Sequence, residues 1–87
     1  VWSFGITAWE ATSYGARPYQ GIEISTLILS LQNGHRLGKP TKCPDEVYNL
    51  MLKCWHADKH LRPTFKQIKE ELKQIIFELY QTYINYN

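Results

Sequence analysis

The sequence predicts an all-α fold of four helices. Apolar side chains recur at helical spacing in four segments, and no segment alternates with the period of two that marks a strand. Glycine or proline residues separate the segments, as expected for connections between helices. Of the 87 residues, 44% are apolar and 21% are charged, a balance typical of a folded domain rather than a disordered one. A chain of this length builds only a thin core.

The first predicted helix runs from about Val1 to Thr12, and Gly15 suits the left-handed position after its last turn. Its apolar residues point in every direction around the axis, and a helix of this kind is normally buried on all sides. They are Val1, Trp2, Phe4, Ile6, Ala8, Trp9 and Ala11. Three further helices cover such a surface poorly. We therefore expect residues before Val1 to supply the missing cover and the isolated chain to be marginally stable or associated.

The second predicted helix runs from about Glu23 to Asn33, and Gly34 ends it. Its apolar residues follow the i, i+3, i+4, i+7 spacing of one helix face: Ile24, Leu27, Ile28 and Leu31. This face would suit a docking surface for a partner, or it packs on the rest of its own domain. The loop from Gly34 to Cys43 shows no strand pattern.

The third predicted helix starts at Pro44, a residue well suited to a first turn. Asp45 and Glu46 follow, where negative charge is favourable at the positive end of the helix dipole. Its apolar stripe consists of Val47, Leu50, Met51, Cys54 and Trp55.

The fourth predicted helix follows Arg62 and Pro63. Thr64 caps it, and Gln67, three residues later, completes a capping box. One continuous apolar face is predicted from Phe65, Ile68, Leu72, Ile75, Ile76 and Leu79. We expect the domain to cover residues 1–79 and residues 80–87 to form a C-terminal tail.

Charge and cysteine content exclude several classes of protein. The net charge is +2, and the basic residues are scattered from Arg17 to Lys73, which argues against nucleic acid or an anionic membrane as the main partner. The two cysteines, Cys43 and Cys54, indicate free thiols in a reducing compartment, and we expect a cytoplasmic protein. No apolar stretch approaches the roughly 20 residues of a transmembrane helix.

A metal or hydrolase site has little support in the sequence. His56, Asp58 and His60 lie close together, but their spacing does not match the paired ligands of a zinc site. A solvated loop between two helices explains them better. No Gly-x-Ser-x-Gly turn is present for a serine hydrolase.

The aromatic residues allow two interpretations each. Tryptophans can stack on bases or line a pocket, but two of the three lie in the most apolar helix, which favours core packing; they are Trp2, Trp9 and Trp55. The C-terminal tyrosines suit phosphorylation on a tail or simply a frayed chain end; they are Tyr80, Tyr83 and Tyr86.

A set of short motifs gives the sequence a family resemblance. The motifs are Val1-Trp2-Ser3-Phe4-Gly5-Ile6, Trp9-Glu10, Tyr14-Gly15, Pro18-Tyr19, Gly21, Gly34-His35-Arg36-Leu37, Cys43-Pro44, Leu50-Met51, Cys54-Trp55 and Arg62-Pro63-Thr64-Phe65. In order and spacing they resemble helices F to I of a protein tyrosine kinase catalytic domain, in the C-terminal lobe of an α+β parent fold. The resemblance covers residues 1–79. It marks eight structural-motif residues: Trp2, Ser3, Gly5, Trp9, Glu10, Trp55, Arg62 and Pro63.

The resemblance implies a function for a larger parent protein. Such a parent would transfer the ATP γ-phosphate to tyrosine in protein substrates and would require Mg²⁺. The glycine-rich loop, strand lysine, His-Arg-Asp and Asp-Phe-Gly segments of kinases do not occur in this sequence. We therefore expect structural support from this chain, with no catalytic, cofactor-binding or metal-binding residue. Arg62 matches the family's arginine that pairs with the glutamate of an Ala-Pro-Glu segment.

The type of kinase rests on fewer residues. Trp9-Glu10-Ala11 and Ser13-Tyr14-Gly15 look like the spleen tyrosine kinase family, and Cys43-Pro44-Asp45-Glu46-Val47-Tyr48 looks like the Janus kinases, which favours a non-receptor type. The expected partners are the upstream part of the kinase domain and a tyrosine-containing protein substrate. The alternatives are a non-catalytic, pseudokinase-type interaction module and a truncated gene product.

Overall fold

The computed structural model describes residues 1–86, and Asn87 lies outside this range. The elements are α1 (Trp2–Thr12), α2 (Ile24–Gln32), α3 (Asp45–Cys54), a 3₁₀ turn (Lys59–Leu61) and α4 (Phe65–Tyr86). Within the described range no residue belongs to a strand. The prediction of an all-α fold with four α-helices is confirmed.

Two glycines end the first two helices as their sequence positions predict. Gly15 has a φ of +83°, and its N–H donates to the Glu10 carbonyl at 2.8 Å. Gly34 has a φ of +90°, and the next N–H, that of His35, donates to the Ser30 carbonyl at 2.9 Å. In both places the glycine adopts the left-handed conformation that lets the chain turn back on the last helical carbonyls.

The predicted capping box is present before α4. The Thr64 N–H donates to Gln67 Oε1 at 2.8 Å, and the Gln67 N–H donates to Thr64 Oγ1 at 3.1 Å. The two side chains therefore satisfy N–H groups that have no partner inside the helix. The sequence predicts that α3 starts at Pro44. In the structure α3 starts one residue later, at Asp45, and Pro44 is the cap residue before it.

Helix α3 forms the centre of the molecule, with α1 packed on one side and α4 on the other. Its C-terminal half and the residue that follows it are almost completely buried. The buried core consists of Cys43, Leu50, Met51, Cys54, Trp55, Ile68 and Ile75. Helix α2, which is described throughout, contributes no buried residue to this core.

Helix α1 is much less covered than its composition predicts. Gly5 is its only buried residue among those described, and Trp2 and Trp9 are half-buried. Helix α3 packs along one side of α1, and the remaining apolar surface has no neighbour within residues 1–86 to bury it. The source of further cover stays a prediction.

The predicted apolar face of α4 is only partly buried. Ile68 and Ile75 are buried, whereas Phe65 and Ile76 are each 64% exposed and Leu79 is 44% exposed. Helix α4 has 22 residues and α3 has 10, so α3 covers less than half of its length. The apolar face is also wider than the strip that a single neighbouring helix can cover.

Helix α4 continues beyond the position where the tail was predicted. It is helical through Tyr86, and no glycine or proline interrupts residues 64–86. Without a stop signal, helix propagation continues. The placement of the domain boundary after residue 79 stays a prediction, and Asn87 lies outside the described residues.

Candidate functional site

The first and second halves of the sequence meet where Gly5 faces Trp55. Gly5 is buried in α1, and Trp55, the residue that follows α3, is 1% exposed. A Cβ atom built on Gly5 would lie 2.5 Å from Trp55 Nε1, closer than any side chain permits. Only glycine therefore allows the indole to lie against the α1 backbone. This close approach sets the distance between α1 and α3.

Trp2 lies beside Trp55 and contacts two arginines. The two indole rings are tilted by 44°, with centroids 6.5 Å apart. The guanidinium carbon of Arg36 lies 5.2 Å from the Trp2 ring centroid, and that of Arg62 lies 4.9 Å away. We call Trp2, Arg36, Trp55 and Arg62 the tryptophan–arginine cluster. Each cation–π contact contributes about 0.5–2 kcal/mol, with the larger values where water is excluded.

Arg36 connects three parts of the chain through backbone carbonyls. Its Nε donates to the Trp55 carbonyl at 2.8 Å, and its Nη1 donates to the carbonyls of Leu31 at 3.0 Å and His35 at 2.8 Å. These bonds join the end of α3 to the end of α2, while the guanidinium also contacts Trp2 in α1. Arg36 is half-buried and ties three helices together at one point.

The same cluster holds Arg62, which has no acidic partner within residues 1–86. Its Nε donates to the His56 carbonyl at 2.8 Å, and its guanidinium rests against Trp2. Throughout residues 1–86 the ion pairs are Lys39–Asp45 and Lys53–Glu71, so neither arginine of the cluster is paired with a carboxylate. Two half-buried positive charges therefore lie on one indole ring without compensation. Such an arrangement attracts an anion.

A second contact joins α1 to the connection between α2 and α3. Trp9 Nε1 donates to the Gly38 carbonyl at 2.8 Å, and Tyr48 Oη in α3 donates to the neighbouring Leu37 carbonyl at 2.8 Å. Two consecutive carbonyls of the connection are thus bonded by side chains from two different helices. This fixes the connection between α1 and α3 although it has no regular secondary structure.

The eight predicted structural-motif residues fall into three groups. Trp2, Gly5, Trp55 and Arg62 come together, while Trp9 makes its own contact with the connection. The residues of the third group share no side-chain contact with one another. Ser3 is exposed, the Glu10 carbonyl accepts a hydrogen bond at the end of α1, and Pro63 is half-buried before α4. The structural role assigned to these residues stays a prediction.

Sequence analysis assigned no role to Arg36 or Tyr48. Arg36 reaches the Trp55 carbonyl across 19 positions, and Tyr48 reaches the Leu37 carbonyl across 11. No local sequence pattern predicts hydrogen bonds between residues this far apart in the chain. The one available signal is that Arg36 lies two residues after Gly34, the glycine that ends α2, and directly before the apolar Leu37.

Among residues 1–86, no group of three or more His, Cys, Asp or Glu residues that could hold a metal ion is found. His56 and Asp58 instead shape the turn before α4. The Asp58 N–H donates to His56 Nδ1 at 3.0 Å, and Asp58 Oδ1 accepts from the His60 N–H at 2.9 Å.

The two cysteines are buried and free. Cys54 is 0% exposed, and burial raises the pKa of its thiol above the ordinary value of 9.0. Because the thiolate is the reactive form, this environment suits a core residue and disfavours a nucleophile.

No helix within residues 1–86 combines the length and the apolar character that a membrane span requires. The longest, α4, carries several charged residues along its first half.

Comparison with known proteins identifies relatives that match nearly the whole chain. The family profile described as "Protein tyrosine and serine/threonine kinase" matches residues 1–72. The chain is 46% identical over 76 residues to fibroblast growth factor receptor 1 of Pleurodeles waltl and, equally, to that of Xenopus laevis. The match covers 87% of this chain and 9% of each receptor, so the chain spans about a tenth of the length of these relatives.

These relatives bear on the predicted kinase type. Both are receptors by name. The predicted likeness to the non-receptor spleen tyrosine and Janus kinases gains no support from them.

Proposed function

The chain belongs to the protein tyrosine and serine/threonine kinase family, and on this premise we propose that it forms the helical support of the large lobe of a tyrosine kinase. The complete protein would transfer the γ-phosphoryl group of ATP to tyrosine hydroxyls of protein substrates. The proposal is carried by the 46% identity to two receptors over 76 residues, together with the match of the family profile to residues 1–72. The contact between Gly5 and Trp55 supports a specific structural role within that lobe.

In this proposal, α1 is the buried helix that supports the rest of the lobe. Its indole-rich surface is covered by α3 on one side and remains half-exposed elsewhere. An apolar helix surface of this kind is stable only when another part of the same domain packs on it. We propose that the catalytic loop of the parent rests on this surface and that α1 sets its position. The support comes from α1 being held by two independent contacts, at Gly5 and at Trp9.

Arg62 would contribute to the same support through its charge. Its guanidinium is held by Trp2 and the His56 carbonyl and has no carboxylate partner within residues 1–86. A glutamate from the parent, as the family resemblance implies, would neutralise it. In a partly buried position such an ion pair forms charge-assisted hydrogen bonds with a defined geometry.

Catalysis itself is proposed to reside outside this chain. Phosphoryl transfer requires groups that position ATP, metal ions and the acceptor hydroxyl. Because the kinase motifs that supply these groups do not occur in this sequence, we expect no phosphate transfer by the purified 87-residue chain. Incorporation of phosphate into a Glu-Tyr copolymer by this chain would contradict the proposal.

The type and location of the parent follow from different observations. The two named relatives favour a receptor, whereas the non-receptor type rests on short motifs alone. Two buried free thiols favour a kinase portion that faces the reducing cytoplasm. The coding sequence upstream of Val1 decides between the types, because a receptor would encode a membrane span before the kinase domain.

A non-catalytic interaction module is the second candidate, and α2 supports it. Ile24, Ile28 and Leu29 are between 51% and 73% exposed on this helix. Apolar groups exposed together on one helix suit a protein partner. A pseudokinase with this surface would bind proteins without transferring phosphate.

A chimaera tests the structural role independently of the parent's missing sequence. The 76 matched residues of the Xenopus laevis receptor are replaced by the corresponding residues of this chain, and phosphorylation of a Glu-Tyr copolymer is measured. We expect an active kinase, because the replaced segment would support the catalytic loop in the same way. A chimaera that melts cooperatively but transfers no phosphate would contradict the proposal.

Two variants sharpen this experiment. Gly5→Leu places a branched side chain against Trp55 and should abolish the activity of the chimaera. Gly38→Ala is the matched control, since no atom lies within 4 Å of its added Cβ, and it should leave the activity unchanged. If the chimaera is active while the natural parent is not, the interaction-module alternative is favoured instead.

A further inference from the structure

The second half of α4 carries an exposed apolar stripe that is separate from its core face. Five large side chains, each between 45% and 66% exposed, form it: Ile76, Phe77, Tyr80, Tyr83 and Ile84. With 3.6 residues per helical turn, these five positions fall within about 120° of the helix circumference. The buried core residues Ile68 and Ile75 lie outside this arc. We call the five residues the α4 stripe.

The α4 stripe lies beyond the part of the chain that the kinase family profile matches, which ends at residue 72. The packing that this profile describes therefore does not include the stripe. Residues 73–86 are nevertheless helical throughout. A helical segment of this length is only marginally stable in water unless its apolar face is packed against another surface.

The spacing of the α4 stripe is symmetric about Tyr80. Ile76 and Ile84 lie four residues on either side of it, and Phe77 and Tyr83 lie three residues on either side. Two copies packed antiparallel about Tyr80 would therefore place Ile76 of each copy opposite Ile84 of the other. A two-fold axis requires a self-complementary surface of this kind.

The charges on α4 favour the same arrangement. Glu78 is the one acidic residue in the sequence of positions 73–86, and it lies about 160° around the helix from Tyr80. Lys73 is exposed at the N-terminal end of the stripe, about 20° from Tyr80. A parallel pair would bring the two Lys73 side chains together. An antiparallel pair separates them by roughly 20 Å and places each near the negative, C-terminal end of the other helix.

The area of the α4 stripe suits a weak dimer. An aromatic side chain has about 150–250 Å² to bury, so the five partly exposed side chains present roughly 500 Å² on each copy. Packing two copies together would remove roughly 800–1,000 Å² from water, which is at the lower end for specific protein interfaces. This area supports a reversible dimer rather than a permanent one.

We propose that two copies of this chain associate through α4, with their α4 stripes packed antiparallel and Tyr80 on the two-fold axis. Each Tyr80 ring would contact its counterpart, and the isoleucines at the two ends of the stripe would pack in pairs. The proposal is independent of the proposed kinase function, since it depends on residues that follow the family match.

Sedimentation equilibrium of the 87-residue chain tests the association. We expect a monomer–dimer equilibrium with a dissociation constant of roughly 10–500 μM. Tyr80→Glu brings two carboxylates together at the axis and should weaken dimerisation at least about tenfold. Gln81→Glu is the matched control, because it adds the same charge at an exposed position about 100° around the helix, and it should dimerise normally.

Single cysteine substitutions test the antiparallel register under mild oxidation with diamide. Tyr80→Cys should form a disulfide between two copies, because facing residues of packed helices approach within the roughly 4–7 Å between Cα atoms that a disulfide spans. Ile76→Cys should not, because its two copies would lie roughly 12 Å apart along the helices. A mixture of Ile76→Cys and Ile84→Cys should form the mixed disulfide. The unmodified chain, whose two cysteines are buried, gives the background.

Three results would overturn the proposal. A chain that stays monomeric up to about 1 mM would leave the α4 stripe to another part of the complete protein. A dimer or larger assembly that persists in Tyr80→Glu but is lost in Ile28→Glu would place the interface on α2, where Ile28 is exposed. A disulfide formed by Ile76→Cys and not by Tyr80→Cys would show a parallel pair instead.

Discussion

The indole nitrogen of Trp55 lies so close to Gly5 that a methyl group on this glycine would stand 2.5 Å from it. The indole N–H is buried and has no hydrogen-bond partner among the described residues. The contact is therefore one of shape alone, in which the absence of a side chain on α1 admits the ring. It predicts that packing at this point tolerates no added atom.

Gly5→Ala should destabilise the chain even though alanine favours a helix. Overpacking typically costs about 1–3 kcal/mol, and removing a glycine from a helix interior returns about 0.5–1 kcal/mol. We expect a net decrease of about 1–2 kcal/mol in the free energy of unfolding, measured by urea titration with tryptophan fluorescence. Gly38→Ala should change this free energy little, because its added Cβ meets no atom within 4 Å.

A double substitution identifies the cause of that loss. Trp55→Phe removes Nε1, the atom nearest to the added methyl group. The loss caused by Gly5→Ala should therefore be smaller in the Trp55→Phe background, with a coupling energy of about 0.5–3 kcal/mol. Additive effects of the two substitutions would show that the close contact does not limit stability.

Thr64→Ala should lower stability through the capping box. The substitution leaves the Gln67 N–H without the Thr64 oxygen that accepts from it. Loss of such a cap typically costs about 1 kcal/mol. Thr64→Ser keeps the hydroxyl and should retain most of the stability, as measured by the urea midpoint. Equal midpoints for the alanine and serine variants would contradict the prediction.

Arg36→Lys should be much more disruptive than its conservative charge suggests. Lysine cannot reproduce the planar fork that bonds three carbonyls while contacting Trp2. We expect a loss of about 2–4 kcal/mol, less than the sum of the separate bonds because they are not additive. Arg17→Lys, at an exposed position, is the control and should stay within about 0.5 kcal/mol. Similar losses in both variants would remove the special role of Arg36.

Stability should decrease in alkaline solution because of Cys54. Burial raises the pKa of its thiol in the folded chain above 9.0, so the folded state retains the proton that the unfolded state releases. This contribution is fully present below about pH 9 and is lost as the pH rises through the folded pKa. Urea titrations at several pH values should show the decline.

The matching variants separate this effect from other alkaline titrations. Cys54→Ala should have lower stability at neutral pH but a shallower decline above pH 9, because the titrating thiol is gone. Cys43→Ala retains Cys54 and should keep the original slope. Identical slopes in the two variants would exclude Cys54 as the source.

Local chemistry explains which parts of the fold the sequence predicts well. Gly15 ends α1, Gly34 ends α2, and Thr64 with Gln67 starts α4, in each case through groups within a few residues of each other. The family motifs also identified the residues that meet at Trp2 and Trp55. These features depend on short spacings, which a linear pattern records directly.

Long-range contacts explain what the sequence did not predict. The bonds of Arg36 and the unpaired hydroxyl of Tyr19 depend on how α2 and its flanking segments meet. The sequence predicts no end for α4, because residues 80–86 contain no glycine or proline, and the helix continues through Tyr86. The spacing of apolar residues also does not indicate how much of the face is buried, since Ile76 fits the apolar face but is 64% exposed among the described residues.

The connection between α2 and α3, which Trp9 and Tyr48 anchor, should look mobile by hydrogen exchange but rigid by nuclear relaxation. Its anchored groups are the oxygens of Leu37 and Gly38, whereas the amides of these two residues donate no backbone hydrogen bond in the described chain. Deuterium uptake senses only amides and will rank this stretch among the loosest. Nuclear relaxation of the same stretch will report a backbone as still as that of the helices, and a fast-exchanging but motionless segment is the signature to expect.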